Sequence, residues 1–217
     1  MSGKLIVIEG LDGSGKATQA GLLAEALQKR GTAVRQVSFP VYESYSSALV
    51  RMYLRGDLGK DPGDVNAYAA STFYAVDRFA SFKADWGGFY EAGGVVVADR
   101  YTTSNAIHQC AKLPEDRWDG FLAWLFDLEY DLMGIPAPDM VIYLRGDVAV
   151  SQKLMTGRYH GDESRKDIHE KDLDFMYRSR LAAEYCRDAL GWKTVDCIRD
   201  GRMREVQDIH REILSLL

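Results

Sequence analysis

Unbroken apolar runs alternate along this chain with stretches in which apolar residues return every three to four positions. KLIVIEG (4–10) carries four apolar residues in succession and ends on a glycine, the pattern of a strand buried on both faces. AVRQVSF (33–39), stopped by Pro40, GVVVAD (94–99), DMVIYL (139–144) and WKTVDC (192–197) read as four more strands. After the first strand Ala20, Leu22, Leu23, Ala26 and Leu27 fall at helical spacing, with Gly31 as the stop. Residues 65–86, with Tyr68, Phe73, Tyr74, Phe79 and Phe82, are helix-length. So are 115–133, with Trp118, Phe121, Leu122, Leu125, Phe126 and Leu132, and the mixed charged and apolar stretch 168–190. Strands without polar alternation need helices on both faces. Five of them separated by helices predict an open parallel α/β sheet with right-handed crossovers. Ligands in such sheets bind beyond the carboxyl ends of the strands, which brings residues 10–18 and Asp99–Arg100 to one crevice.

Composition narrows the partners. The 217 residues suit a single domain (1–217), and a hydrophobic share of 47% supplies an ordinary core. A net charge of −5 argues against a nucleic-acid polymer or an anionic membrane surface as partner; a local Arg–Lys cluster still suits a small anion. Cys110, Cys186 and Cys197 are scattered and form no C-x-x-C, so neither a disulfide framework nor a zinc site is expected, and a reducing cytoplasmic setting fits. The apolar run at the start is too short for a signal peptide or a membrane span.

The first candidate chemistry lies between the first strand and the first helix. GLDGSGKATQ (10–19) matches the phosphate-loop pattern G-x-x-x-x-G-K-[ST] at Gly10, Gly15 and Lys16, and departs from it at Ala17, where a hydroxyl for Mg²⁺ is expected. Glycines let backbone N–H groups point inward around a polyphosphate, the helix N-terminus adds partial positive charge, and Lys16 neutralises the outer phosphates. Gly10, Asp12, Gly13, Ser14, Gly15, Lys16, Ala17 and Thr18 are the candidate ATP loop. A carboxylate inside an anion loop is costly unless it faces a sugar hydroxyl or a metal-bound water. The alternative for Asp12 is a turn residue capping the following helix.

A second constellation ends the strand at 94–99. Asp99 is placed to hold Mg²⁺ through water, and Arg100 to grip a second phosphate in bidentate fashion. One metal and two phosphate grips point to phosphoryl transfer between two phosphorylated molecules. A structural ion pair is the alternative for Asp99 and Arg100.

IEGLDGSGKATQ, FYAVDR (73–78), DRYTTSNA (99–106), PAPDMVIYL (136–144) and DIHEKDLDFMYRSR (167–180) follow the order and spacing of the thymidylate kinases, and the chain resembles that family from about residue 4 to 215. The resemblance implies a P-loop fold with a five-stranded parallel sheet of order 2-3-1-4-5, a homodimer, and conversion of dTMP to dTDP with ATP and Mg²⁺. It implies that Asp12 meets the acceptor's 3′-hydroxyl, that Arg100 grips the acceptor phosphate, and that Asp99 stands near the metal. Arg78 corresponds to the arginine that hydrogen-bonds the thymine carbonyl, and Tyr74, one helical turn earlier, to a stacking phenylalanine. Ser104 and Asn105 resemble base-pocket residues, and Phe39 belongs to the acceptor side.

TGRYHGDESRKDIHEKD (156–172) resembles the family's lid. A phosphate loop reading Asp12-Gly13-Ser14 lacks a basic residue, so the family's logic assigns the transition-state cation to the lid, with Arg158, Arg165 and Lys166 as candidates. The position before IHE that often holds that arginine is Asp167 here. Val41 and Tyr42 stand where an acceptor-phosphate arginine is common, with Arg51 as a possible substitute, and His108 replaces a tyrosine that crowds the sugar's 2′ position. At Ala17 a water can fill the missing ligand's place, because Mg²⁺ commonly keeps several waters. The function expected is ATP:dTMP phosphotransfer. Its alternatives are a kinase of another nucleotide acceptor and, on the strength of Ala17, a nucleotide-binding regulatory protein without turnover.

Overall fold

The structure, a computed structural model, describes residues 3–158, 162 and 166–217, the side chains of 155, 157 and 158 excepted. In chain order the elements are β1 (Lys4–Gly10), α1 (Lys16–Lys29), β2 (Val34–Ser38), α2 (Ala48–Leu54), α3 (Ala67–Ser81), α4 (Gly87–Glu91), β3 (Val95–Asp99), α5 (Thr102–Cys110), α6 (Trp118–Phe126), β4 (Met140–Arg145), α7 (Val148–Arg158), α8 (Ile168–Lys171), α9 (Leu173–Leu190), β5 (Lys193–Asp196), a short β6–β7 hairpin (Ile198–Arg199, Arg202–Met203) and α10 (Val206–Ser215). The first five strands pair in parallel in the order β2-β3-β1-β4-β5, with Ile8 opposite Asp99 and Gly10 opposite Leu144.

The strand periodicity explains the layers. Along β1, Ile6 and Ile8 point to one face and pack with Leu23, Ile209 and Ile213 of α1 and α10. Leu5 and Val7 point to the other, onto Phe82, Trp86 and Tyr101. Tyr143 of β4 joins Ile107, Phe121, Leu125 and Phe175 from α5, α6 and α9. Each such side chain contributes about 1.5–3 kcal/mol when buried, so a central strand without polar alternation is the stable solution here.

The helices depart from simple spacing in three places. The run at 65–86 and the run at 115–133 each end in a wide π turn, at Phe82–Trp86 and Asp127–Leu132. The stretch expected as one helix over 168–190 is two. Asp172 takes an extended backbone and accepts from Phe175 N, capping α9, while Asp167 and Glu170 form a capping box around α8. Seven residues of the segment expected as a loop at 156–172 are therefore helical: 156–158 in α7 and 168–171 in α8.

Candidate active site

A cavity of about 450 Å³ opens at the carboxyl ends of the strands, lined by the 12–18 loop, Ser38–Pro40, Tyr42, Tyr74, Arg78, residues 99–101, one face of α5, and Asp167, His169 and Glu170. Of the candidate residues, Asp12, Gly13, Gly15, Lys16, Ala17, Thr18, Phe39, Tyr74, Arg78, Asp99, Arg100, Ser104, Asn105 and His108 all line it. Gly10 and Ser14 form the turn behind it. A Cβ at Gly10 would lie 2.7 Å from Ser14 Oγ and 2.8 Å from Leu144 O, so the strand turns there only without a side chain. Gly15, left-handed at φ 86°, opens α1 without capping it, which leaves the helix's first N–H groups for an anion. Lys16, only 7% exposed, donates to Leu11 O at 2.8 Å. Burial and then the Arg100 guanidinium pull its ammonium down to about 8, against the upward pull of Asp12, Glu9 and Asp99.

Asp12 does not cap the helix. It accepts from Arg100 Nη2 in a short ion pair. Burial alone would raise its carboxyl; Arg100 and Lys16 overcome that and hold it well below the usual carboxylate range. Arg100 itself sits at φ 66°, left-handed for a residue with a side chain, while its N–H continues the ladder to Ile8 O at 3.1 Å. Such a backbone costs about 1–3 kcal/mol and persists where the surroundings fix it. Here Nη1 donates to Ser104 Oγ at 3.2 Å and lies 3.8 Å from Glu9 Oε1, and Nε has no partner among the described residues. Arginine only donates, so His108 Nε2, at 3.4 Å from Nη1, accepts, and Nδ1–H faces Ser179 Oγ at 3.3 Å. Burial and Arg100 push the His108 imidazole down to about 3, so it is neutral. Its ring stacks on His169 of α8 at 5.7 Å, and a His169 ring nitrogen meets Tyr53 OH at 2.7 Å. Asp167, which caps α8 beside the cavity, has its carboxyl raised to about 7 by burial and by Asp12.

Asp99 supplies the test for a metal. Oδ2 lies 3.4 Å from Ser38 Oγ, and Oδ1 is buried with no hydrogen-bond partner among the described residues. An orphaned carboxylate oxygen on the cavity wall fits a hydrated divalent cation. Among the described residues no group of three His, Cys, Asp or Glu has metal-holding geometry. Among the described residues the side chains alone do not make a metal site, so a cation beside Asp99 would need phosphate oxygens and water as further ligands.

Two buried acids escaped the sequence reading. Glu9, fully buried, accepts from Thr103 Oγ1 at 2.6 Å, Ser104 Oγ at 2.8 Å and Gly10 N at 2.8 Å, and so fixes the start of α5. Glu129, in the second π turn and fully buried, takes Arg78 Nε at 2.6 Å and Nη2 at 2.5 Å, Thr102 Oγ1 at 2.9 Å and Asn105 Nδ2 at 3.2 Å. A signal for each was present: an acid inside an apolar strand, and an acid four residues after Leu125 on the apolar stripe of a helix.

Other candidates fall elsewhere. Arg51 does not line the cavity. Its Nη1 donates to Tyr42 O, to Ser44 O at 2.9 Å and to Ser47 Oγ at 2.6 Å, so it braces the loop after β2. The reason is reach: one turn of α2 separates Arg51 from Ser47, and three acceptors lie closer than the cavity. Asp77 serves the same loop, accepting from Val41 N at 2.8 Å and Ser46 Oγ at 2.6 Å. In the segment expected as a lid, Lys166 donates to Gln152 Oε1 at 2.9 Å, the Arg158 side chain and all of Arg165 lie outside the described residues, and Thr156 lies within α7.

The profile of the thymidylate kinase family matches residues 8–213. The thymidylate kinase of Mycobacterium tuberculosis is 32% identical over 191 residues, 87% of this chain and 87% of that protein. The probable thymidylate kinase of Thermococcus kodakarensis is 31% identical over 216 residues, 98% and 96% of the two chains. The solved structure of the Candida albicans thymidylate kinase superposes with a TM-score of 0.71 at 19% identity, covering 99% of this chain and 91% of that one, and so shares the fold. On the family match and these identities, this chain belongs to the thymidylate kinase family.

Proposed function

We propose that this protein transfers the terminal phosphoryl group of ATP to the phosphate of dTMP, giving dTDP and ADP. One observation carries the reading: a single cavity joins the phosphate loop and Lys16 at one end to Tyr74, Arg78 and Asn105 at the other, with Arg100 between. ATP's phosphates take the loop N–H groups, and Lys16 moves its ammonium from Leu11 O onto them. Arg100 keeps Asp12 on one side and offers Nε to the acceptor phosphate. Asp12 is thereby fixed where a sugar hydroxyl can donate to it. Tyr74 gives the base a stacking face, and Arg78 a donor for its carbonyl. Asp99 is the residue to hold Mg²⁺, through water; the ion supplies charge neutralisation of the polyphosphate. Arg158 or Arg165 from the lid, rather than Lys166, which already donates to Gln152 Oε1, supplies the cation for the transferring group, worth three or more orders of magnitude, about 4 kcal/mol.

Three free, buried cysteines suit a reducing compartment. Among the described residues no helix is long and apolar enough to cross a membrane. The reading is tested by ADP release with a panel of nucleoside monophosphates. dTMP is expected to be the best acceptor and dUMP next, because one methyl group is worth only about 1 kcal/mol. dGMP or AMP outperforming dTMP in kcat/KM would remove the base assignment, and no turnover with any acceptor would remove the kinase.

A further inference from the structure

Asn105 turns a carbonyl, not an amide N–H, toward the base end of the cavity, and the reason lies outside the cavity. Both hydrogens of its Nδ2 are taken, by Ser71 O at 3.1 Å and by Glu129 Oε1 at 3.2 Å. A backbone carbonyl and a carboxylate paired with arginine only accept, so a flipped amide would set oxygen against oxygen on both sides. Oδ1 is left with no donor among the described residues, on a side chain that lines the cavity. The same carboxylate takes Arg78 Nε and one Nη2 hydrogen, and Tyr101 O takes an Nη1 hydrogen at 3.4 Å. One N–H remains on each terminal nitrogen of Arg78.

The base end therefore offers a donor beside an acceptor. Thymine and uracil present a carbonyl beside a ring N–H. Cytosine presents an amino group beside a bare ring nitrogen, the opposite polarity. We infer that Glu129, which does not line the cavity, is the positioning residue that sets this polarity and thereby selects imide pyrimidines over cytosine. With four donors on its two oxygens the carboxylate is saturated, and both base-reading side chains are held in one orientation by one group. The inference rests on the dTMP reading above.

Glu129→Gln keeps the shape and replaces one acceptor oxygen by an N–H donor. kcat/KM is measured side by side for dTMP, dUMP and dCMP at saturating ATP, with folding followed by circular dichroism and thermal melting. The dTMP value is expected to fall about tenfold or more, mostly through KM, and the preference for dTMP over dCMP to shrink by at least about tenfold. KM for ATP is expected to stay within about twofold, since a base-reading polarity does not act at the phosphate loop. Equal losses on dTMP and dCMP would overturn the inference, leaving Glu129 as a support of the fold. Unmodified protein that ignores dTMP altogether would instead defeat the functional reading, so the two failures are separable. Should Glu129→Gln not fold, the orientation is read in isotope-labelled unmodified protein. A hydrogen-bond coupling between the imino group of bound dTMP and the Asn105 side-chain carbonyl carbon supports the inference; an Asn105 N–H bonded to the base overturns it.

Discussion

Below about pH 8 Lys16 is charged, and above it the buried ammonium loses its proton while the site holds no phosphate. Phosphate binding needs the cation, so kcat/KM for ATP is expected to fall above about pH 8. Bound phosphates favour the charged form, so kcat at saturating ATP should persist to higher pH. A kcat/KM profile level to about pH 9.5 would show that Lys16 keeps its proton despite burial. Neutral His108 and His169 add no inflection near pH 6.5, because burial holds both imidazoles below that range. Ala17 and Asp99 make a second comparison at this scale. Ala17 is exposed to the cavity, so Ala17→Ser adds an oxygen without a clash. It is expected to lower the Mg²⁺ requirement and to change kcat/KM by less than about tenfold, under 1.4 kcal/mol. Asp99→Asn removes the carboxylate whose Oδ1 lacks a partner and should cost about a hundredfold or more. Ala17→Ser activating by several orders of magnitude would mean that a single water does not replace the hydroxyl.

Among the elements, α8 ties the segment 156–172 to α5 and α2: His169 stacks on His108, Tyr53 holds its ring, and Asp167 and Glu170 cap the turn. Lys166, just before it, is buried against Gln152. Lys166→Ala is thus expected to lower the melting temperature more than kcat, whereas Arg158→Ala or Arg165→Ala should lower kcat by about a hundredfold with little change in KM for ATP. Stopped turnover with Lys166→Ala at unchanged stability would reverse the assignment. The five strands were legible in the chain because unbroken apolar runs have one stable use, in a sheet covered on both faces. Bounds differ from the structure by about a residue for that reason. The break at Asp172 was not legible, because an acid among charged neighbours looks like solvent-facing helix until its carboxylate is seen to accept from Phe175 N. Arg51 misled for a related reason: sequence gives a cation's position along a helix, not which of several acceptors it meets first. Asp12, Arg100, Tyr74 and Arg78 were legible as a group through motif order, but the acids that meet the two arginines, Glu9 at Arg100 and Glu129 at Arg78, lie 91 and 51 positions away in the chain and were not.

At the scale of the molecule the sheet order sets the phosphate-loop turn after β1 beside Asp99 and Arg100 at the end of its neighbour β3. Outside it, large apolar side chains remain in the open: Tyr45 at 97% exposed, Leu132 at 73%, Leu181 at 58%. A homodimer, proposed from the family, would cover part of this surface. Sedimentation equilibrium should then give twice the 24.4 kDa of one chain at micromolar concentration. A single-chain mass that persists as concentration rises would exclude it.

The π turn at Asp127–Leu132 has a consequence for anyone engineering this protein. A regular helix there would satisfy its backbone better and, on propensity grounds, raise thermal tolerance. It would also rotate position 129 by the angle of the extra residue, about 100°, and swing the carboxylate off Arg78. Removing one partner of such a buried pair costs about 3–5 kcal/mol, more than the straightened turn returns. The irregularity is therefore one that heat-stabilising redesign must leave alone: smoothing it breaks the buried Arg78–Glu129 pair for a tidier backbone.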